Sequence, residues 1–399
     1  MGWDREVNAM LDALQVQPAD PLLSVTAAFR ADDRERKIDL GVGVFRDATG
    51  RTPVMKAVKA AERALHEAQI TKDYVGGRGD ARFVELIEDL ALGVARPSGW
   101  GIQTPGGTAA LRLAADLLVR GGARAITYGT PTWANHQPVF RAAGLGSRTF
   151  EAFDAETQSI DFEAVREAFG AAGRGEAVLV QASCHNPTGV DFTAGQWESL
   201  AALIAERGLV PLIDAAYLGL GDELEEDARG LRAVVAAAPV SFVAVSCSKS
   251  FGLYRERTGA LLASFNAAHL AEPVITNALA IARANYSMPP DHGAAVARMV
   301  LETAVLRSAW LEELAEMRDY IAALRRALAA HGRAGAIDLA PLGRQRGMFS
   351  QLPLSPDQVA RLRERHGVYV TGAGRVNVAG LALSQIDEFA GALAEVTAG

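Results

Sequence analysis

The chain has 399 residues, 49% of them apolar and 22% charged, which is the composition of a soluble globular protein with room for two domains, or for one large domain with an appendage. Its 40 basic and 47 acidic side chains leave a net charge of −7 with no block of one sign, so a polyanion-binding role is disfavoured and no nucleic-acid partner is expected. The two cysteines, Cys184 and Cys247, lie far apart, which fits a reducing cytosol and argues against a disulfide framework or a zinc site; no metal is expected.

The opening stretch MGWDREVNAM lacks the apolar core of a secretory signal, and Glu6 stands where myristoylation requires Ser or Thr. No apolar run approaches the length of a membrane span, so a cytoplasmic protein with no membrane partner is expected. GVGVFR (41–46) begins like a dinucleotide fingerprint, but Arg46 occupies the third glycine position and no convincing helix follows. VGGRGD (75–80) reads as a flexible loop. TPGGTAALRL (104–113) opens a helix after the strand-like WGIQ. Backbone N–H groups and the positive helix end at Gly106, Gly107 and Thr108 suit a phosphate, although a capped tight turn explains the same residues equally well.

Strand-length apolar runs follow: RAITY (124–128), EAVLVQ (176–181), GLVPLID (208–214), VSFVAVS (240–246) and TGALLAS (258–264). They alternate with helical patterns such as TAALRLAADLLVRGG and TAGQWESLAALIAERG. In the latter, Thr193 and Gln196 form a capping-box signature. Strands apolar on both faces and separated by helices predict an α/β architecture, a mostly parallel central sheet between helical layers. The last hundred residues differ. SAWLEELAEMRDYIAALRRALAAHG (308–332) is one long amphipathic helix. RGMFSQL, the helix SPDQVARLRERHG with Ser355, Pro356 and Gln358 at its start, and the short strands VYV and RVNVAG come after it. This is an α+β segment, a smaller domain that the N-terminal stretch joins.

Ligands of open parallel sheets bind beyond the carboxyl ends of the strands. Three consecutive strand ends carry unusual residues there: SCHNPTG (183–189), DAAYLG (214–219) and SCSKS (246–250). Each alone reads as a solvated strand end; together they describe one crevice. A lysine there, Lys249, can carry an aldehyde as a Schiff base if its surroundings depress its pKa. Asp214 can hold a ring nitrogen protonated, and Tyr217 can contact a ring oxygen. Ser246, Ser248 and Arg257 can complete the phosphate cradle. Pyridoxal 5′-phosphate is the cofactor that makes these demands.

With these residues in place, the chain resembles the aspartate and aromatic aminotransferases, the class I, fold type I, subgroup I-alpha enzymes. The resemblance runs from IDLGVGVFRDATGRTPVMKAV through CHNPTG and CSKSFGLYRERTG to GRVNVAG. It implies a large cofactor-binding domain over 46–315 and a small domain made of 1–45 and 316–399. It also implies transfer of the α-amino group of an aromatic amino acid (Phe, Tyr, Trp) or L-aspartate to 2-oxoglutarate by a ping-pong mechanism. By the same resemblance Lys249 is the Schiff-base lysine and proton shuttle, Asp214 backed by His136 pairs with the pyridine nitrogen, and Asn186 and Tyr217 bond the ring oxygen. Trp133 stacks on the ring, Gly107, Thr108, Ser246, Ser248 and Arg257 hold the phosphate, and Arg375 takes the substrate α-carboxylate. Gly43 lines the substrate cleft. A homodimer is implied, with Tyr74 reaching the neighbour's phosphate and Arg283 its side-chain carboxylate pocket.

His185, the remaining histidines and both cysteines are read as packing, capping or solvated residues. Leu218 and Met288 depart from the family pattern, which has glutamine and, in many aspartate-specific members, asparagine there. The pliable methionine is expected to loosen the network around a small dicarboxylate and admit an aromatic ring. A narrow aspartate aminotransferase, another reaction of the same cofactor such as β-decarboxylation or elimination, and a silent fold relative remain alternatives.

Overall fold

The computed structural model describes residues 11–12, 14–16, 21–93 and 99–398. Seven strands form its central sheet: β1 (Gly99–Pro105), β2 (Ala125–Thr130), β3 (Gly146–Glu151), β4 (Ala177–Gln181), β5 (Val210–Ala215), β6 (Val240–Ser246) and β7 (Thr258–Phe265). Their spatial order is β1-β7-β6-β5-β4-β2-β3. Only β7 runs against its neighbours β1 and β6, and the other pairings are parallel. The physical reason lies in the connections. Helices cross between the parallel strands, whereas β6 returns to β7 through the turns of CSKSFGLYRER, without a crossover helix.

The apolar runs are explained by the two covered faces. Val178, Val180, Ile213, Val243 and Val245 pack into one core layer, while Ala177, Leu179, Leu212, Phe242 and Ala244 pack into the other. The period of two distributes the same strands between both layers, so apart from Ser241 near the start of β6 no position along them is polar until their carboxyl ends. β3 was not foreseen. As an edge strand reading GSRTFE, it is partly exposed along its length and carries no apolar run.

A third core contains Ile38, Leu40, Leu324, Leu328, Leu362, Val368 and Phe389. Its backbone frame is a parallel pairing of Ile38–Asp39 with Val368–Tyr369 and an antiparallel pairing of Phe349–Gln351 with Arg375–Asn377. Helix Ala304–Ala330 spans both regions. Trp310, Leu314, Met317 and Ile321 enter the first core and Leu324 and Leu328 the third. Trp310 stacks on Phe251 at 4.6 Å and donates Nε1–H to the Ser250 carbonyl at 2.8 Å, which ties this helix to the turn that bears Lys249. Among the described residues no helix is long and apolar enough to cross a membrane.

The foreseen capping box at Thr193 is present, and the helix start read at Ser355 is a second one. Thr193 Oγ1 accepts from Gln196 N–H while Gln196 Oε1 accepts from Thr193 N–H, and Ser355 with Gln358 repeats the pattern at 3.2 and 2.8 Å. Ser355→Ala is expected to cost about 1 kcal/mol of stability, read as a lowered urea midpoint at constant m-value.

Candidate active site

β4, β5 and β6 end side by side, and the register pairs Gln181 with Asp214. Beyond these ends opens a cleft with about 620 Å³ of empty volume. Gly107, Thr108, Trp133, Asn186, Asp214, Tyr217, Ser246, Ser248, Lys249 and Arg257 line it, together with Gln181, Leu111 and Ala216.

Asp214 is buried at the end of β5, and its Oδ2 lies 3.0 Å from His136 Nε2. His136 itself is fully buried, and its Nδ1 lies 2.8 Å from Thr132 Oγ1. Lys249 sits in the turn after β6 with Nζ 5.0 Å from the centre of the Tyr217 ring. Burial lowers its pKa to about 8; Asp214 opposes that shift, and the positive charges of Arg257 and Arg375 add to it. An amine so placed is substantially uncharged, and therefore nucleophilic, in mildly alkaline water. Burial also pushes the Tyr217 hydroxyl well above its ordinary range, so it stays protonated, with Asn186 Nδ2 donating to its oxygen at 3.3 Å.

The opposite wall is built around helix Gly106–Arg120. Gly106 has φ +78°, and a Cβ there would stand 2.7 Å from Arg257 Nη2. A Cβ on Gly107 would come 3.0 Å from the Cβ of Ser246. Two bare backbone positions at a helix start thus face a guanidinium and hydroxyls, an arrangement made for an anion. Arg257 holds φ +51°, an uncommon conformation for a side-chain-bearing residue, in the same wall.

Arg375 approaches from the third core. Its Nη2 donates to the Gly41 carbonyl at 2.7 Å, its Nη1 lies 3.5 Å from Asn186 Oδ1, and its guanidinium stacks 4.6 Å from the Phe349 ring. Its buried Nε has no hydrogen-bond partner, and burial lowers its pKa. Gly43 packs against Phe349: a Cβ there would fall 2.9 Å from the ring's Cζ. Glycine at 43 therefore lets Phe349 take its place under Arg375.

Tyr74 and Arg283 lie outside this cleft. Tyr74 is 91% exposed and shares a surface hollow with Gly76, Gly77, Arg283, Ser287 and Met288. Arg283 donates to Ser287 Oγ, and Met288 Sδ accepts from Val75 N–H at 3.2 Å. Leu218 is buried in the first core and does not face the cleft. His185 also lies outside it, paired through Nδ1 with Thr188 Oγ1 at 2.8 Å. Burial lowers its pKa to about 4, with His136 adding and Asp214 opposing. Burial raises the pKa of both cysteine thiols, which keeps them protonated and unreactive. Sequence reasoning missed Gln181, Thr132 and Phe349. Gln181 carried a signal, since it ends an apolar run as Asp214 does. Phe349 carried none, because only the fold brings it under Arg375.

In the cofactor-free protein, trapping of a small aldehyde on Lys249 by borohydride is expected to rise through a midpoint near pH 8. Asp214→Asn should move that midpoint downward, because the carboxylate is what holds the amine's pKa up. Peptide mapping by mass spectrometry measures both.

Comparison with known proteins places this geometry. Residues 35–393 match the model of the family described as aminotransferase class I and II. Over 384 residues the chain is 50% identical to the tyrosine aminotransferase of Rhizobium meliloti, covering 96% of this chain and 99% of that one. It is 43% identical to the aspartate aminotransferase of Salmonella typhi, covering 93% and 96%. The crystal structure of the aromatic-amino-acid aminotransferase of Burkholderia pseudomallei, covalently bound to pyridoxal phosphate, superposes with a TM-score of 0.93 at 38% identity, over 97% of this chain and 99% of that one. A match of that breadth, on a cleft of this construction, makes the chain a member of the class I and II aminotransferases.

Proposed function

We propose that this enzyme transfers the α-amino group of an aromatic amino acid (phenylalanine, tyrosine or tryptophan), or of L-aspartate, to 2-oxoglutarate, with pyridoxal 5′-phosphate as its cofactor. The observation that carries the reading is the meeting, in one cleft, of an amine with a depressed pKa, a buried carboxylate and an anion cradle. The residues fit the group. A side chain at Gly106 would be strained at φ +78°, and one at Gly107 would crowd Ser246. Ser246, Ser248 and Arg257 complete the cradle, and Arg375 keeps an uncommitted buried N–H.

When bound, the cofactor's ring supplies an electron sink for the bonds at the substrate's Cα. The chain's own groups do the rest. Lys249 would hold the aldehyde carbon, and its amine, once released, would take the proton from Cα and deliver it to the carbon the lysine had held; a pKa of about 8 suits that exchange near neutral pH. Asp214, oriented by His136, pairs with the ring nitrogen, and Asn186 and Tyr217 bond the ring oxygen. Trp133 covers the ring, while Gly107, Thr108, Ser246, Ser248 and Arg257 grip the phosphate. Arg375 receives the α-carboxylate as a planar fork, its plane set by Phe349 and thereby by Gly43.

The active form in this reading is a homodimer. Tyr74 reaches the neighbour's phosphate, and Arg283 the neighbour's pocket for a side-chain carboxylate. In support, both residues are exposed outside their own cleft, beside exposed Val75. Met288 lies in the same hollow as Arg283, and its flexible thioether lets the arginine give way to an aromatic ring. The domains in this reading are a large one over 46–315 and a small one over 1–45 and 316–399; in support, the buried residues of the third core are only Ile38, Leu40 and residues from Leu324 onward, and helix Ala304–Ala330 is the shared strut. A cytoplasmic location accords with two buried, unpaired cysteines. The similarity to enzymes named for tyrosine, for aromatic amino acids and for aspartate supports the dual substrate range.

Borohydride treatment of the yellow enzyme is expected to leave a pyridoxyl group on Lys249, and a preparation with no such adduct overturns the reading. Single turnovers should bleach the chromophore with both L-aspartate and L-phenylalanine; response to aspartate alone marks the narrow enzyme, and alanine as a product marks a decarboxylase. Arg375→Lys should lower kcat/KM about 10- to 100-fold for every donor, the worth of one charge-assisted hydrogen bond. Mixing Lys249→Ala with Arg283→Ala protein should restore aspartate turnover to roughly a quarter of the wild-type level, one repaired site per hybrid dimer. No recovery would remove the shared-site arrangement.

A further inference from the structure

Gln181 closes β4 beside Asp214, its register partner on β5, and the functional reading gives it no task. Its side chain is buried and makes three hydrogen bonds. Oε1 accepts from Asn186 N–H at 2.9 Å, and Nε2 donates to the Asn186 carbonyl at 2.9 Å and to Thr132 Oγ1 at 3.3 Å. The two bonds to Asn186 determine which end of the amide is which, because a backbone N–H only donates and a carbonyl only accepts. Nε2 therefore meets Thr132 as a donor. With its oxygen accepting from Gln181, the Thr132 hydroxyl faces one acceptor among the described residues, His136 Nδ1 at 2.8 Å. A hydroxyl oxygen has two lone pairs, so the bond from Gln181 biases the Thr132–His136 contact without dictating it; with the hydroxyl donating, Nδ1 is bare and the ring proton sits on Nε2, 3.0 Å from Asp214 Oδ2.

We propose that Gln181 is a positioning residue for the reaction. Through Thr132 it keeps His136 Nδ1 free of a proton, so that His136 donates one hydrogen bond to Asp214 without setting a cation beside it. The full negative charge of Asp214 then remains for the cofactor's ring nitrogen. The same amide clamps the backbone of Asn186, whose side chain contacts Tyr217 and Arg375. If the donor on Thr132 is removed, the hydroxyl can turn and accept from Nδ1–H. His136 then gains a proton at Nδ1, and Asp214 is either partly neutralised by it or loses its donor. This inference rests on the assignment of Asp214 to the ring nitrogen made under the proposed function.

The test uses full-length enzyme labelled with 15N-histidine, as wild type, Gln181→Met and Gln181→Glu; neither variant side chain can donate to Thr132. The wild-type His136 Nδ1 resonance is expected at the position of an unprotonated nitrogen at pH 7, and in both variants it should move toward the protonated position. In the same variants the pH midpoint of the bound cofactor's visible absorbance should rise by roughly 0.5–1 unit, the equivalent of one neutral hydrogen bond. Loss of positive charge on the ring nitrogen makes the rest of the ring system release its proton less readily. A merely structural glutamine would lower Tm and leave both signals in place. A protonated Nδ1 in the wild type, or unchanged nitrogen shift and midpoint in a folded variant, overturns the inference. Should the wild type form no chromophore, the cofactor reading fails, while the nitrogen shift, which needs no cofactor, still decides the role of Gln181.

Discussion

An amine held out of water next to a carboxylate is the constraint around which this molecule is arranged. Burial, reinforced by the charges of Arg257 and Arg375, drives Lys249 toward its neutral, nucleophilic form, and Asp214 pulls it back toward the cation. The balance leaves the amine uncharged often enough to react and charged often enough to return a proton. Such a balance survives only if the carboxylate stays where it is. The buried contact from His136, with Thr132 and Gln181 behind it, serves that end. A buried charge with fewer partners would be costly, so the strand ends must be rigid.

The sheet supplies that rigidity. β4, β5 and β6 are parallel neighbours whose inner residues are packed on both faces, so their carboxyl ends emerge in register. β7 turns back between β6 and β1 and brings Arg257 against the glycines that start helix Gly106–Arg120. The cationic end of the cleft thus rests on a reversal of strand direction, and the amine end on parallel strands. Helix Ala304–Ala330 then couples the turn bearing Lys249, through Trp310 and Phe251, to the third core that carries Arg375. Lys249 and Arg375 are consequently held by elements that share one strut.

The two departures from the family pattern fall in different parts of the molecule. Leu218, one of them, is absorbed into the first core and does not line the cleft. Met288, the other, lies with Arg283 and Tyr74 in an exposed hollow. Along the chain both read as departures, with an effect expected from Met288 alone; the fold packs Leu218 into a core and sets Met288 beside Arg283.

Read alone, the order of residues determined a good deal. Apolar runs ending in Asp214 and Ser246 disclosed strands covered on both faces, because any polar residue within them would face a core layer. Thr193–Gln196 and Ser355–Gln358 disclosed helix starts, since a capping box is local and needs no partner from elsewhere. Lys249, Asp214 and Arg257 were legible because charged groups at strand ends have no packing reason to be there. What only tertiary structure decided was contact between distant segments: Phe349 under Arg375, Gly43 making room for it, Gln181 gripping Asn186, and the exposed edge strand β3. Spacing along a chain reports the periodicity of its own backbone. It carries no record of which side chains meet after the strands have paired, and the protonation of this site is set by those meetings.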